Sequence, residues 1–431
     1  MLHTVSKQSH FFPNLLARVA RLSTGTISPP KEINTTYVPN SDNSPNHSLL
    51  ANILLELTML KNVKPESITF TPVLGGITNQ LFRADFQEDQ HDPLLIRIFG
   101  GEGMIDRNVE NTIFAGLAEQ GVAPSYHGRF ANGRVEGWLN DAQPLELEQM
   151  SDPSLSIKIA SEMAKLHAYT IPPDIINDTN RVELTEPAMW SQLFSWLKQA
   201  QETNKEIESK WGKDVFNRFK NLHQTYLSHD NNDVSFNLDR VETELNELKQ
   251  NIPYSPSVFS HNDLLAGNIM LETNTGNAKL IDFEYGGINY RGFDIANHWN
   301  EWAGGTQEYM NGICEYSRFP TKEQQHAFCR AYLEQEALLS VESNYINNTN
   351  DALNDVDLAL QSLSAKPIVN DDAVSNLVHE ANQFVLVNHW YWGLWAINQT
   401  TIEGIADFDY LTYAHSRAKR YFEQKHEQEQ Q

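Results

Sequence analysis

Residues 258–283 constrain this chain more than any other stretch. Val258 to Leu271 and Ala278 to Phe283 read as short apolar strands on either side of a polar loop. The loop runs Ser260-His261-Asn262-Asp263-Leu264-Leu265-Ala266-Gly267-Asn268-Ile269, and Leu280-Ile281-Asp282-Phe283-Glu284 follows it, with Asp282 fourteen residues after Asn268. Strands on both sides would hold Asp263, Asn268 and Asp282 rigidly together. Polar residues in a loop can be mere turn formers. A lone His-x-Asp is common by chance; the joint spacing of all three is not.

That trio suits phosphoryl transfer from ATP. Such a reaction needs one carboxylate to accept or orient the proton of the attacking hydroxyl. It also needs two oxygen ligands to hold Mg²⁺ against the phosphates. Asp263 is the candidate base, and Asn268 and Asp282 are the candidate metal ligands.

Upstream, an apolar helix is expected from Ser48 through Leu60. Strands follow at 68–74, 80–86 and 94–99, with Gly75 and Gly76 in the first turn. A helix over 106–120 and strands near 126–130 and 134–139 complete a small antiparallel sheet carrying one helix. The turn at Gly76, Thr78, Asn79 and Gln80 sits where protein-kinase-like folds cover the ATP phosphates. Arg97, the one basic residue in an apolar strand, stands where such folds place a phosphate-binding lysine, and Glu110 on the next helix is its candidate partner. A hinge is expected at 136–141, where the backbone of Gly137, Trp138 and Leu139 would meet adenine.

Beyond residue 150 the pattern is mostly helical, starting with an amphipathic helix at 154–169. A polar stretch at 344–376, rich in Asn, Asp and Ser, reads as a mobile insertion. The expected organisation is a tail and linker at 1–47, a nucleotide-binding lobe at 48–140 and a catalytic and substrate lobe at 141–425. The first 31 residues hold Lys7, Arg18, Arg21 and Lys31 and no acid. That is the composition of a mitochondrial transit peptide, with a poorly ordered tail as the plainer reading. The location is accordingly expected to be cytoplasmic, or mitochondrial if this segment directs import.

Composition narrows the partners. With 32 Lys and Arg against 56 Asp and Glu, net charge −24, the chain is a poor candidate for coating nucleic acid or for polybasic membrane anchoring. A pocket tuned for a cation fits it better. The most apolar run, 384–397, is too short to span a bilayer. Two cysteines, Cys314 and Cys329, exclude a disulfide framework.

With these motifs in place, the chain resembles the choline/ethanolamine kinases over roughly residues 50 to 425. The resemblance rests on G-G-I-T-N at 75–79, L-I-R-I-F-G at 95–100 and H-N-D-L-L-A-G-N-I at 261–269. It also rests on I-D-F-E-Y-G-G-I-N-Y-R-G-F-D-I-A-N-H-W-N-E-W-A-G at 281–304, H-W-Y-W-G-L-W at 389–395 and Tyr410-Leu411-Thr412-Tyr413. It implies a two-lobed α+β, protein-kinase-like fold with a small antiparallel-sheet lobe and a large, mainly helical one. It also implies transfer of the ATP γ-phosphate to an amino alcohol with Mg²⁺, and nucleotide contacts from Thr78 through Leu81, Phe82 and Ala84, from Arg97 and from the hinge. Residue 265 is Leu where some choline kinases carry Gln. G-I-T-N, H-N-D-L-L and N-E-W-A-G lean towards ethanolamine kinase, the first step of the CDP-ethanolamine route to phosphatidylethanolamine.

The resemblance also implies a cage for the substrate cation from Tyr285, Glu301, Trp392, Trp395 and Tyr413. Trp392 and Trp395, three apart, can share a helix face, although core packing explains tryptophans equally well. Trp299, Trp302 and Trp390 read as core, and Asp294 as a buried acid anchoring the loop. Aromatic faces suffice for quaternary choline, whereas the three N–H groups of ethanolamine need acceptors, which gives Glu301 more weight. Choline kinase or a dual kinase is the alternative activity, and a catalytically inactive kinase-like binding protein is an alternative of another class. The expected partners are ATP and the amino alcohol, with a homodimer admitted, no nucleic acid and no stable membrane anchor.

Overall fold

The structure is a computed structural model and describes residues 31–430, apart from 59, 61, 74–78, 88–90, 101–106, 172–184, 230–237 and 349–367. The transit-peptide reading of the first 31 residues therefore falls almost wholly outside the described residues. The chain divides into two compact units, residues 1–142 with 338–366 and residues 143–337 with 367–431.

The first unit is built on an antiparallel sheet of β1 (Ile68–Val73), β2 (Asn79–Phe86), β3 (Leu94–Phe99), β4 (Tyr126–Phe130) and β5 (Gly133–Gly137), in the order β1-β2-β3-β5-β4. Ile96 pairs with Val135 and Phe82 in neighbouring strands, so all three share a face. Helix α1 (His47–Thr58) contributes Leu50, Leu54 and Leu57 to the same core, and α2 (Arg107–Glu119) follows β3 where a helix was expected. Each such fully buried aliphatic side chain stabilises the unit by about 1.5–3 kcal/mol.

Residues 31–46, read as part of a linker, are docked instead. Ile33 N–H donates to the Arg129 carbonyl at 3.0 Å, and Ile33 and Tyr37 are buried. Asn132 accepts from Tyr37 N–H at 2.8 Å and donates to its carbonyl at 3.0 Å. The Ser/Thr/Pro/Asn composition hid two apolar anchors four residues apart.

The second unit is mainly helical. Its helices include α3 (Pro153–His167), α4 (Met189–Thr203), α5 (Asp239–Asn251), α6 (Arg291–Glu301), the part of α7 (Lys322–Asn348) before residue 338, α8 (Asp371–Glu403) and α9 (Tyr410–Glu429). Asp152 caps α3 by accepting from Ser154 and Leu155 N–H at 2.8 and 3.0 Å, with Pro153 at the first helical position. Asn370 caps α8 through Ala373 N–H at 2.6 Å. The expected insertion at 344–376 is narrower than its composition suggested, because α7 continues to Asn348 and α8 begins at Asp371. The remainder of that stretch is outside the described residues.

Helix α6 is buried all round from Gly292 to Glu301, the pattern of a central core helix. It packs on α8, and a Cβ at Gly292 would lie 2.8 Å from the Phe384 ring, so glycine permits that close approach. Trp299, Trp302 and Trp390 are buried as expected. No helix among the described residues is long and apolar enough to cross a membrane.

Two small sheets carry the polar loop. One pairs β7 (Ser257–Ser260) with β10 (Gly287–Tyr290), and the other has the order β6 (Ala142–Pro144), β8 (Ile269–Glu272), β9 (Ala278–Leu280).

Candidate active site

Strand register brings the loop residues together. Ile269 pairs with Leu280 across β8 and β9, so Asn268 and Ile281 emerge at the same end, where Ile281 N–H donates to the Asn268 carbonyl at 3.0 Å. Ser260 pairs with Gly287 across β7 and β10, which brings the start of the loop beside residues 284–286. Asp282 has φ 62° and Asn262 has φ 64°, left-handed values that cost a non-glycine residue energy.

Asn262 is locked there, its amide nitrogen donating to the Tyr285 carbonyl at 2.8 Å and its carbonyl oxygen accepting from Asn289 at 2.7 Å. Asp294 fixes the preceding turn. It accepts from the backbone N–H of His261 at 2.8 Å and of Asn262 at 2.7 Å, and its Oδ2 lies 2.9 Å from His167 Nε2. Burial alone would raise the Asp294 pKa, but His167 and the His261 backbone more than offset it and hold the carboxyl below its ordinary value. Burial lowers the pKa of His261. Its Nε2 donates to the Ile281 carbonyl at 2.9 Å, leaving Nδ1 to accept from Asp263 N–H at 3.3 Å.

Asp263 projects from this scaffold. Asn268 Nδ2 donates to its carboxylate Oδ2 at 3.1 Å and to its backbone carbonyl at 2.8 Å. Burial, then the negative charges of Glu301, Glu284 and Asp282, raise the Asp263 pKa well above the ordinary carboxylate range. The surroundings of Asp263 are therefore short of positive charge. Asn268 has both amide bonds directed at Asp263, which leaves its Oδ1 available as a ligand. No group of three or more His, Cys, Asp or Glu among the described residues is arranged to hold a metal ion on its own. A metal at Asn268 and Asp282 would therefore draw its remaining oxygens from a phosphate ligand, a common arrangement for Mg²⁺.

The expected cage residues lie together on α6, α8 and α9 and in the segment after β9. The Tyr285 and Trp392 rings meet edge-on at 5.5 Å, and Trp392 meets Trp395 at 5.4 Å. Trp395 and Tyr413 have ring centroids 6.4 Å apart. Trp395 Nε1 donates to the Tyr285 hydroxyl at 3.1 Å, and Trp392 Nε1 to Asn297 at 2.7 Å. Trp395 and Tyr285 are half-buried, whereas Trp392, Tyr413 and Glu301 are almost fully buried. Glu301 is not a bare acid. Its Oε1 accepts from Arg417, a fully buried arginine that also donates to the Tyr413 hydroxyl at 2.6 and 3.0 Å.

The expected nucleotide-contact residues belong to the first unit. Gly76 and Thr78 are outside the described residues. Asn79, Gln80, Leu81 and Phe82 open β2, with Leu81 opposite Arg97. The Gly137 N–H donates to Ser125 at 2.8 Å and the Trp138 N–H to Pro93 at 3.2 Å, so these two hinge amides are already engaged, and Leu139 follows. Arg97 is buried on β3, but the expected Arg97–Glu110 pair does not form. Arg97 Nε donates to Glu136 at 2.8 Å, whereas Glu110 holds Arg107 at 2.7 Å and Arg134. The register explains the change. Arg134 pairs with Arg97 across β3 and β5, Glu136 lies two residues further on the same face, and Glu136 also accepts from Arg134 at 2.6 Å. Burial would raise the Glu136 pKa, but Arg97 and Arg134 together hold it low.

The sequence reading placed Glu136 only at the start of the hinge and passed over Arg134, Asn297, Asn388 and Arg417. Two signals were present. Arg134 and Glu136 alternate on one strand face, and Arg417 lies four residues after Tyr413 on α9.

The choline/ethanolamine kinase family pattern matches residues 70–422. A human choline/ethanolamine kinase is 30% identical over 387 residues, covering 85% of this chain and 82% of the relative. A probable ethanolamine kinase of Arabidopsis thaliana is 31% identical, covering 82% of this chain and 78% of the relative. Among solved structures, an ethanolamine kinase from Plasmodium vivax superposes with TM-score 0.65 at 24% identity, over 89% of this chain and 90% of that one. A choline kinase from Cryptosporidium parvum gives TM-score 0.60 at 25% identity, over 88% and 95%. The family pattern spans most of the chain, the relatives cover more than four fifths of it, and the chain belongs to the choline/ethanolamine kinase family.

Proposed function

We propose that this chain transfers the γ-phosphoryl group of ATP to the hydroxyl of ethanolamine, giving phosphoethanolamine and ADP. The observation carrying this reading is the Asp263 carboxylate, which projects from the loop and is held there by two hydrogen bonds from the Asn268 amide. The alcohol oxygen bonds to the γ-phosphorus, the bond from that phosphorus to the β–γ bridging oxygen breaks, and the hydroxyl proton passes to Asp263. Asn268 keeps the carboxylate aimed. Asn268 and Asp282 would hold Mg²⁺, which when bound draws charge from the phosphate oxygens. Arg97 is our candidate for a further phosphate contact, with Glu136 fixing its guanidinium.

At the other end of the substrate, Tyr285, Trp392, Trp395 and Tyr413 surround the ammonium, and Glu301 accepts from its N–H groups. The Glu301 side chain is the reason for preferring ethanolamine, since only a primary ammonium can donate to it. The ring-lined wall favours the second reading, choline, because aromatic faces attract a quaternary ammonium without hydrogen bonds. The deciding experiment is purified protein with ATP and Mg²⁺ and each alcohol in turn, comparing kcat/KM. Higher kcat/KM for ethanolamine supports the first reading. A choline preference replaces it with the second, and no turnover of either alcohol removes both.

A further inference from the structure

We infer that Arg417 is a specificity-determining positioning residue, which acts through Glu301 to favour alcohols with a primary ammonium over those with a quaternary one. This rests on the reading above, that Glu301 faces the ammonium end of the substrate.

A bare carboxylate beside the pocket would attract any cation by charge alone, with or without N–H groups. Arg417 changes that. It is fully buried, and its guanidinium donates to Glu301 Oε1, so the charge of Glu301 is largely spent inside the protein. Glu301 Oε2 makes no hydrogen bond among the described residues, and it is what remains for the ligand. The pair therefore turns a charge into a directional acceptor, and only an ammonium carrying N–H can use one.

The fork is over-determined in a way a simple counter-ion would not need. Arg417 Nε and one terminal nitrogen both donate to the Tyr413 hydroxyl, and the other terminal nitrogen donates to Asn388 Oδ1 at 3.3 Å. Asn388 Nδ2 in turn donates to Asn297 Oδ1 at 2.7 Å, the same oxygen that accepts from Trp392. A single buried chain of polar contacts thus joins Glu301 on α6, Trp392 on α8 and Arg417 on α9.

The test compares kcat and KM for ethanolamine and choline in the full chain and in Arg417→Lys, Arg417→Gln, Glu301→Gln and Glu301→Gln/Arg417→Gln. Lysine keeps the charge but cannot hold Glu301, Tyr413 and Asn388 together. The ethanolamine-to-choline ratio of kcat/KM should fall about fivefold in Arg417→Lys, through a higher KM for ethanolamine as the acceptor is misplaced, and about tenfold or more in Arg417→Gln, mainly through a lower KM for choline as Glu301 becomes a bare charge. In the Glu301→Gln background, Arg417→Gln should leave the ratio where Glu301→Gln alone puts it. If Arg417→Gln does not fold, Arg417→Lys decides. Equal losses for both alcohols, with the ratio unchanged, overturn the inference and leave Arg417 a structural residue. If Glu301→Gln itself leaves KM for both alcohols unchanged, the reading of Glu301 fails instead, and the inference falls with it.

Discussion

Asn268 spends both of its amide hydrogens on Asp263, one on the backbone carbonyl at 2.8 Å and one on the carboxylate at 3.1 Å. A five-residue separation is thereby closed into a rigid ring of contacts. Asn268 Oδ1 and Asp263 Oδ1 take no part in these two bonds.

Asp263→Asn keeps the shape of the side chain and removes its capacity to take a proton. Steady-state kcat should fall by about 10²–10⁴-fold, the usual worth of a positioned general base. ATP binding, measured by calorimetry, should be little changed. Retention of near wild-type kcat would remove Asp263 as the base.

Asp282 follows β9 with a left-handed backbone that only the surrounding loop justifies. If it binds Mg²⁺, Asp282→Asn should raise the Mg²⁺ concentration for half-maximal activity by about tenfold or more, since a carboxylate ligand is lost. Asn268→Ala should act in the same direction. Titrating Mg²⁺ at saturating ATP is the measurement, and an unchanged midpoint in both variants would argue for another metal site.

Asp294 predicts a pH dependence of stability. Its folded pKa lies below the unfolded carboxylate value of about 3.9. The stabilisation is therefore complete above that value and is lost as pH falls through the folded pKa. Asp294→Asn turns one of two acceptors into a donor facing a backbone N–H, which should cost about 3–5 kcal/mol at pH 7. In urea unfolding, the gap between wild type and variant should stay constant from pH 7 to 5 and narrow below about pH 4. A gap that widened on acidification would contradict the assignment.

The candidate catalytic loop of the second unit was legible in the sequence because its signal is local. Strand, loop and strand occupy 258–283, and the ladder Ile269–Leu280 then leaves little choice about where Asn268 and Asp282 sit. The charge network of the first unit was not legible, because which arginine meets which acid depends on sheet register. Arg97 is 39 residues from Glu136, and only the β3–β5 pairing makes them neighbours. Arg417 was hidden for the same reason. Its 116-residue separation from Glu301 is closed by the packing of α6 and α9 around α8, which no short-range pattern encodes.

That network carries its own prediction. Glu136 accepts from Arg97 and Arg134, both buried. Glu136→Gln removes a charge that two guanidinium groups share, and should lower unfolding stability by about 3–5 kcal/mol. Arg97→Met/Arg134→Met/Glu136→Leu replaces Glu136 and both of its guanidinium partners with apolar volume and should recover part of the loss, because those three ions need no longer be desolvated. A triple variant less stable than Glu136→Gln alone would show that the charges contribute more than their burial costs.

In the proposed ammonium site, Trp395 carries the converse prediction to Arg417. Its ring is half-buried, meets Trp392 and Tyr413, and is oriented by the bond from Nε1 to the Tyr285 hydroxyl. A quaternary ammonium depends on such faces, each contributing about 0.5–2 kcal/mol, whereas a primary ammonium also has Glu301 as acceptor. Trp395→Ala should therefore raise KM for choline by about 3- to 30-fold and raise KM for ethanolamine less. Trp395→Phe keeps a ring but loses the bond to Tyr285, and should fall between wild type and alanine for choline. A larger loss for ethanolamine than for choline in Trp395→Ala would place the ring away from the ammonium and leave Trp395 a packing residue.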